Sequence, residues 1–276
     1  MYLLIKQNVK RLREKKNTWI ILLIYLLLGI GNYMAIHSGM PFANPNFEFV
    51  TSFWEYFVSV QGGGSGIMFV VLPLLVTLST GEFFIEKRHS SILSYGLIRS
   101  SKRTYIRNEI FATGITSFIF VSFAQVILLI SALFFTRIGV VDPDQGMIFF
   151  AERLLYNAPL IYVLLIIINS SLMAFFFSTF SIWLSIIFKN KYSAMMLPFV
   201  AFIGVSMVLM TLPVIFGPYV RIWYEYAPLV MAGDYVSQTP NVLAVPAYWI
   251  FGSLLMYVVV TVTFKASFRQ EKLLLQ

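Results

Sequence analysis

The sequence contains no cysteine, so disulfide bonds, Cys-ligated metal sites and thiol nucleophiles are all excluded. Histidine is almost as scarce, with only His37 and His89. Asp142 and Asp144 lie close together, but in a VDPDQG stretch typical of a solvated turn. The side chains that build most metal centres are therefore missing or isolated, and we expect no metal site.

Charge is also scarce, at 12% of residues against about a quarter in ordinary soluble domains. Hydrophobic residues make up 59% of the chain. This composition indicates a membrane protein. The formal net charge of +8 is explained by the Lys and Arg that orient membrane proteins, so we expect no nucleic-acid partner.

Six apolar stretches approach or exceed the roughly 20 residues that a helix needs to cross a bilayer. They comprise residues 18–36, 66–84, 110–135, 159–188, 194–216 and 247–264. Pro73, Pro198 and Pro213 lie within them and are expected kink points. The first stretch follows basic residues, but no small-residue cleavage pattern succeeds it, so we expect an uncleaved span rather than a signal peptide.

Alternate connections differ strongly in basic charge. Of the 20 Lys and Arg, only Arg137, Arg153 and Arg221 fall on the side opposite the two termini. Because cytosolic connections carry the excess of Lys and Arg, we expect both termini to be cytosolic. The sequence thus predicts an all-α integral membrane protein, one transmembrane domain over residues 1–276 with six transmembrane helices.

Two short segments outside the spans have helical periodicity. Residues 1–16 place Ile5, Val9 and Leu12 at spacings of three and four among basic residues, which predicts an amphipathic helix in the cytosolic interface. A second stripe includes Phe53 and Phe57, and we expect it either on the outer surface or packed on the spans.

Several motifs that could carry chemistry fail on their context. The GGGSG stretch at residues 62–66 lacks the Lys and Ser or Thr of a phosphate-binding loop, so this chain is not expected to bind ATP through it. Ser65 has no histidine suitably placed to act as its base. At membrane depth the chief polar residues are Gln125 and Asn169, which we take as helix-to-helix hydrogen bonders or as substrate-path candidates.

The stretch from Gly81 to Glu109 is polar, with six Lys or Arg. Each of these would cost about 2.5 to 3.5 kcal/mol at the centre of a membrane helix, so we expect a cytosolic excursion after the second span. It also carries Leu93 and Leu97, four residues apart. This spacing predicts a short helix whose apolar face fits a groove on another protein.

With its six predicted spans, basic N-terminal helix and polar connection after the second span, the chain resembles the permease subunit of a type-2 ATP-binding-cassette (ABC) exporter. Glu82 or Glu86 matches the acidic residue that ends the second span in that family. Arg99 stands where the family commonly has Pro, and Arg107 where it commonly has Gly-Lys. The family also has a Gly-Thr pair, an apolar pair and a Ser-basic element in this stretch. Here Ser90 and Ser91 occupy the place of the first, Ile92 and Leu93 supply the second, and Ser100, Ser101, Lys102 and Arg103 supply the third.

The resemblance implies a transport subunit that is not itself an enzyme. It implies that a dimer of ABC ATPase subunits binds ATP and Mg and contacts a coupling segment at residues 85–107, while this chain binds no cofactor. It implies Glu82 and Glu86 as structural or gating residues, and a contact formed by Ser90, Ser91, Ile92, Leu93, Ser94, Tyr95, Gly96, Leu97, Ile98 and Arg99.

The resemblance also implies a second permease, identical or related, a place among the lipids of a bacterial cytoplasmic membrane, and export. Because charge is absent at depth, we expect an apolar or amphipathic substrate, such as a lipid-linked molecule, a drug or a membrane-active peptide. Two alternatives remain open at this stage. One is a membrane sensor or scaffold that transports nothing, and the other is a membrane-embedded hydrolase.

Overall fold

A computed structural model describes residues 2–38, 52–62, 67–89, 100–136, 152–188, 190–217, 224, 226–233 and 243–274. These residues are α-helical almost throughout. The helices are α1 (Tyr2–Glu14), α2 (Lys16–Ser38), α3 (Phe53–Gly62), α4 (Ile67–Thr80), α5 (Glu82–His89), α6 (Lys102–Phe135), α7 (Glu152–Asn157), α8 (Pro159–Ile187), α9 (Lys191–Phe216), α10 (Pro228–Gly233) and α11 (Ala244–Leu274).

Within the described residues, four helices are long and apolar enough to cross a membrane, namely α6, α8, α9 and α11. The predicted membrane character and all-helical class are confirmed to that extent. The first predicted span lies in α2, whose apolar part, Lys16–Gly31, is shorter. The second is divided between α4 and α5. Six spans, and the side on which each terminus lies, therefore stay predictions.

The second predicted span is interrupted at Gly81, where the chain makes a turn between α4 and α5. The Gly81 amide still donates to the Thr77 carbonyl at 2.9 Å. A Cβ at this position would collide with that carbonyl and would lie 3.2 Å from the Ser181 hydroxyl on α8. Glycine therefore permits the turn and the close approach of α8 together.

Helix α8 is the centre of the bundle. It contacts α3, α4, α5, α6, α9 and α11. Over its most apolar window 56% of residues are buried, against 11% for α9 and 22% for α11. Within the described part of the chain, helices α9 and α11 thus leave most of their apolar surface uncovered, as expected of helices that face lipid or another subunit.

The short helix α3 packs inside the bundle. Tyr56, Phe57, Val58 and Val60 have no exposed surface, and they join a core formed with α2, α4, α6 and α8. Of the two positions that the sequence allowed for this stripe, packing on the other helices is the one observed.

Helix α1 forms at the predicted place and packs on α6. Its buried side chains are Asn8 and Leu12, four residues apart and so on one face. Val9, predicted with the apolar stripe, is partly exposed. The location of α1 at a membrane interface stays a prediction.

Candidate functional site

The predicted contact at residues 90–99 lies outside the described residues. The chain on both sides of it is described, since α5 ends at His89 and α6 begins at Lys102. Ser101 caps α6, its side chain accepting a hydrogen bond from the Thr104 amide at 3.3 Å. This hydroxyl satisfies one of the amides that every helix leaves unpaired at its start. The start of α6 is thus fixed by its own sequence.

A buried ion pair joins the two flanks of this segment. The Lys87 ammonium on α5 donates to both carboxylate oxygens of Glu109 on α6, at 3.0 and 2.7 Å. The two side chains are only 4% and 1% exposed. A buried charge is costly unless it is paired, so losing either partner of this contact would be far more destabilising than losing one partner of a surface ion pair.

Arg88, the next residue, binds the end of α8. Its guanidinium donates to the carbonyl oxygens of Ser185 at 2.7 Å and Ile186 at 3.0 Å. The last carbonyls of a helix lack partners within the helix and carry partial negative charge. The Arg88 guanidinium supplies both hydrogen-bond donors and positive charge to these carbonyls, and it links α5 to α8.

A third group of contacts surrounds Glu82, the first residue of α5. Its carboxylate pairs with Lys15, which lies between α1 and α2, and with Lys191, the first residue of α9. Lys15 also binds Glu86 at 2.8 Å, and Arg11 lies 3.9 Å from Glu86. We call these five residues the charged cluster. It connects α5 with the α1–α2 junction and with the start of α9.

The sequence predicted Glu82 and Glu86 as structural or gating residues, and the structure places both in the charged cluster. Their exposures differ, at 8% for the Glu82 side chain and 37% for that of Glu86. Glu82 is therefore the more protected from solvent and salt. A gating role stays a prediction for both residues.

A separate polar group lies in the core. The Gln61 side chain on α3 and the Gln125 side chain on α6 donate to each other, and Gln125 also donates to the Ser170 hydroxyl on α8 at 3.1 Å. We call these three residues the amide cluster. Gln125 thus makes helix-to-helix hydrogen bonds. Asn169 is buried beside Ser170 in sequence, and within the described residues neither of its amide atoms has a hydrogen-bond partner.

Of the predicted candidates that the structure describes, Glu82 and Glu86 lie in the charged cluster, Gln125 lies in the amide cluster, and Asn169 is buried outside both. Sequence reasoning missed Lys15, Lys87, Arg88, Glu109 and Lys191. One signal was available, because Glu109 directly precedes an apolar span and is expensive there without a cation. The choice of Lys87 as its partner had no local signal.

Among the described residues, no three His, Cys, Asp or Glu side chains are grouped as metal ligands. The polar contacts instead hold helices together. No protein-family model matches the chain, and no curated protein sequence matches it significantly.

Proposed function

We propose that the chain is the transmembrane permease subunit of a type-2 ABC exporter. One observation carries the proposal: the segment expected to meet an ATPase is held firmly at its flanks. Lys87 and Glu109 join its two sides in a buried ion pair, and Arg88 ties its first side to the end of α8. An unconstrained loop of the kind that charge bias alone produces has no need of such contacts.

These contacts matter because a partner can shift a permease between two states only through contacts that differ between those states. A force on residues 90–99 has three routes into the bundle. It reaches α6 through Glu109, α8 through Arg88, and both the α1–α2 junction and α9 through Glu82. Motion of residues 90–99 can therefore be transmitted to these helices, instead of being absorbed by bending of residues 90–99 themselves.

On this proposal the six helices cross the membrane and both termini are cytosolic. A dimer of ATPase subunits binds ATP and Mg on that side and grips residues 90–99, while the chain itself breaks no bond. A second permease, identical or related, completes the pathway. The uncovered apolar faces of α9 and α11 leave room for such a contact in a bacterial cytoplasmic membrane.

The described parts of α6, α8, α9 and α11 carry neutral polar groups at depth, and the charges of α6 and α9 lie near their starts. A pathway lined in this way suits an apolar or amphipathic substrate better than a small ion, since ion pathways normally carry charged side chains. Export of a lipid-linked molecule, a drug or a membrane-active peptide is the proposed activity.

Purification of the tagged full-length chain from membranes of its own host tests the proposal. We expect an untagged partner with a GxxxxGKS or GxxxxGKT loop to be recovered with it, and the complex to hydrolyse ATP. Recovery of the chain with other proteins, but with no ATP-binding partner, would contradict the proposal and favour a sensor or scaffold.

A further inference from the structure

An apolar groove of about 270 Å³ lies between α1, α2 and α6, and its lining residues belong to neither the charged cluster nor the amide cluster. Its walls include Val9 and Leu12 on α1, Leu22 on α2, and Ile119 and Phe123 on α6. Thr116 and Phe123 both line it, so it follows α6 for about 10 Å at 1.5 Å per residue. The groove is thus elongated along the helix axis.

The groove is open at its side. Val9, Ile119 and Phe123 are each about half exposed. Water is a poor occupant of such an apolar channel, since an ordered water needs two to four polar partners. In a membrane-embedded chain, a hydrocarbon chain is the matching occupant.

Arg13 and Trp19 also line the groove, and the Trp19 indole N–H donates to the Arg13 carbonyl at 2.8 Å. Arg and Trp together are typical of the level at which lipid headgroups lie. The groove therefore combines an almost wholly apolar wall with two residue types that occur beside lipid headgroups.

Arg13 is the charged residue among those that line the groove. Lys10, Arg11 and Lys15 each lie against a carboxylate. Arg13 is exposed and pairs with no carboxylate among the described residues. It is thus free to bind an external anion, and its planar guanidinium suits the two oxygens of a phosphate.

We propose that this groove binds an anionic phospholipid of the surrounding membrane, with an acyl chain against Val9 and Phe123 and the phosphate at Arg13. The charge of α1 favours an anionic over a zwitterionic lipid, because the helix has four Lys or Arg and a single acidic residue, Glu14. The inference requires a membrane location but not a transport function, so it survives if no ATPase partner is found.

Native mass spectrometry of the purified, delipidated full-length chain tests the proposal. The probes are phosphatidylglycerol and phosphatidylcholine with the same acyl chains, titrated separately. We expect tighter binding of phosphatidylglycerol. Arg13→Gln should weaken the first phosphatidylglycerol adduct about fivefold, the effect of one basic side chain near an anionic lipid, and should leave phosphatidylcholine binding unchanged.

Lys6→Gln is the matched control, since it removes one charge from the same helix at a residue that does not line the groove.

A second pair of variants tests whether the lipid occupies the groove itself. Val9→Phe should fill it and weaken both lipids, whereas Leu3→Phe, on an exposed residue outside the groove, should weaken neither. All four positions are exposed, so folding should be retained, which melting temperature in lipid-free detergent verifies.

Equal losses in Arg13→Gln and Lys6→Gln would overturn the proposal, because they would mean that lipid binds the diffuse charge of α1. Full lipid affinity in Val9→Phe would also overturn it. The proposal fails as well if Val9→Phe disrupts a dimer while lipid binding is unchanged, since the occupant would then be a second copy of the chain.

Discussion

Lys87 and Glu109 are 22 residues apart in the chain, yet their side chains form an ion pair with Nζ–Oε distances of 2.7 and 3.0 Å. The pair is almost fully buried. It closes the polar stretch into a loop whose two ends cannot separate without exposing or stranding a charge. The stability and the proposed function of this region therefore depend on the same contact.

We predict that Glu109→Gln lowers the free energy of unfolding by about 3 kcal/mol, because it leaves the Lys87 charge buried without its carboxylate. The matched control is Glu14→Gln. It breaks the Lys10–Glu14 pair, whose side chains are 65% and 57% exposed, and should cost about 0.5 kcal/mol or less. Reversible unfolding in mixed micelles measures both. Similar losses of unfolding free energy in the two variants would show that the buried pair contributes no more to stability than the exposed pair.

The two acidic residues of α5 should differ in their response to salt. Glu82→Gln removes contacts with Lys15 and Lys191 and should cost about 1.5 to 3 kcal/mol, as expected for hydrogen bonds to charged groups. Glu86→Gln should cost about 1 kcal/mol or less, because Glu86 is more exposed. Salt at about 1 M shortens the screening length to about 3 Å, so it should abolish the Glu86 effect and retain most of the Glu82 effect. Melting temperatures at low and high salt test this ranking, and equal salt sensitivity would contradict it.

The amide cluster offers a double-mutant test. Gln125→Leu strands the Gln61 side chain in the core and should destabilise the protein by about 1 kcal/mol. The double change of Gln61→Leu and Gln125→Leu leaves neither amide unpaired, so it should cost less than the sum of the single changes. Unfolding free energies of the three variants give the coupling. Strict additivity would mean that the two amides do not stabilise each other.

Gly81→Ala should destabilise the protein by about 1 to 3 kcal/mol, because the added methyl group meets the Thr77 carbonyl and the Ser181 side chain. Gly204→Ala is the control. It is also a glycine-to-alanine change, but on α9, where an added Cβ would meet no described atom within 4 Å apart from its own helix backbone and chain neighbours, and helix propensity alone favours it by up to about 1 kcal/mol. Thermal unfolding distinguishes the two. A neutral Gly81→Ala would mean that α4, α5 and α8 can separate at little cost.

Leu93→Asp should uncouple ATP hydrolysis from transport without lowering the melting temperature, because it places a charge on the apolar face expected to meet the ATPase. Gly96→Pro should act in the same direction. Ser94→Asp adds the same charge one residue along, off that face, and should have a smaller effect. The readouts are export of the substrate and the substrate-stimulated hydrolysis rate of the complex. Full export together with full substrate-stimulated hydrolysis in Leu93→Asp would place the contact elsewhere.

The helix positions could be predicted from the sequence because bilayer-length apolar runs indicate them directly. The fourth predicted span, residues 159–188, matches α8 (Pro159–Ile187), and the spacing of Ile5, Val9 and Leu12 indicated α1 (Tyr2–Glu14). Both depend on local pattern, which one sequence contains in full. The turn at Gly81 was missed because Phe83 and Phe84 were taken as the end of the apolar run, across Ser79, Thr80 and Glu82.

The pairings could not be predicted in the same way. Lys87 and Glu109 meet because α5 and α6 both pack against α8, and nothing in their immediate neighbours specifies that approach. The partners of Gln61 could not be predicted either. In the sequence Gln61 is the polar end of a short helix, and its burial follows only from the packing of α3 inside the bundle. Which side chains share a site is a property of tertiary packing, whereas membrane composition is a property of the chain.

Helix α3 has 10 residues and is therefore about 15 Å long, half of the roughly 30 Å of hydrocarbon in a bilayer. It is too short to carry the chain from one leaflet surface to the other. By its length alone α3 is therefore not a spanning helix, although it packs among helices that are long enough to cross a membrane.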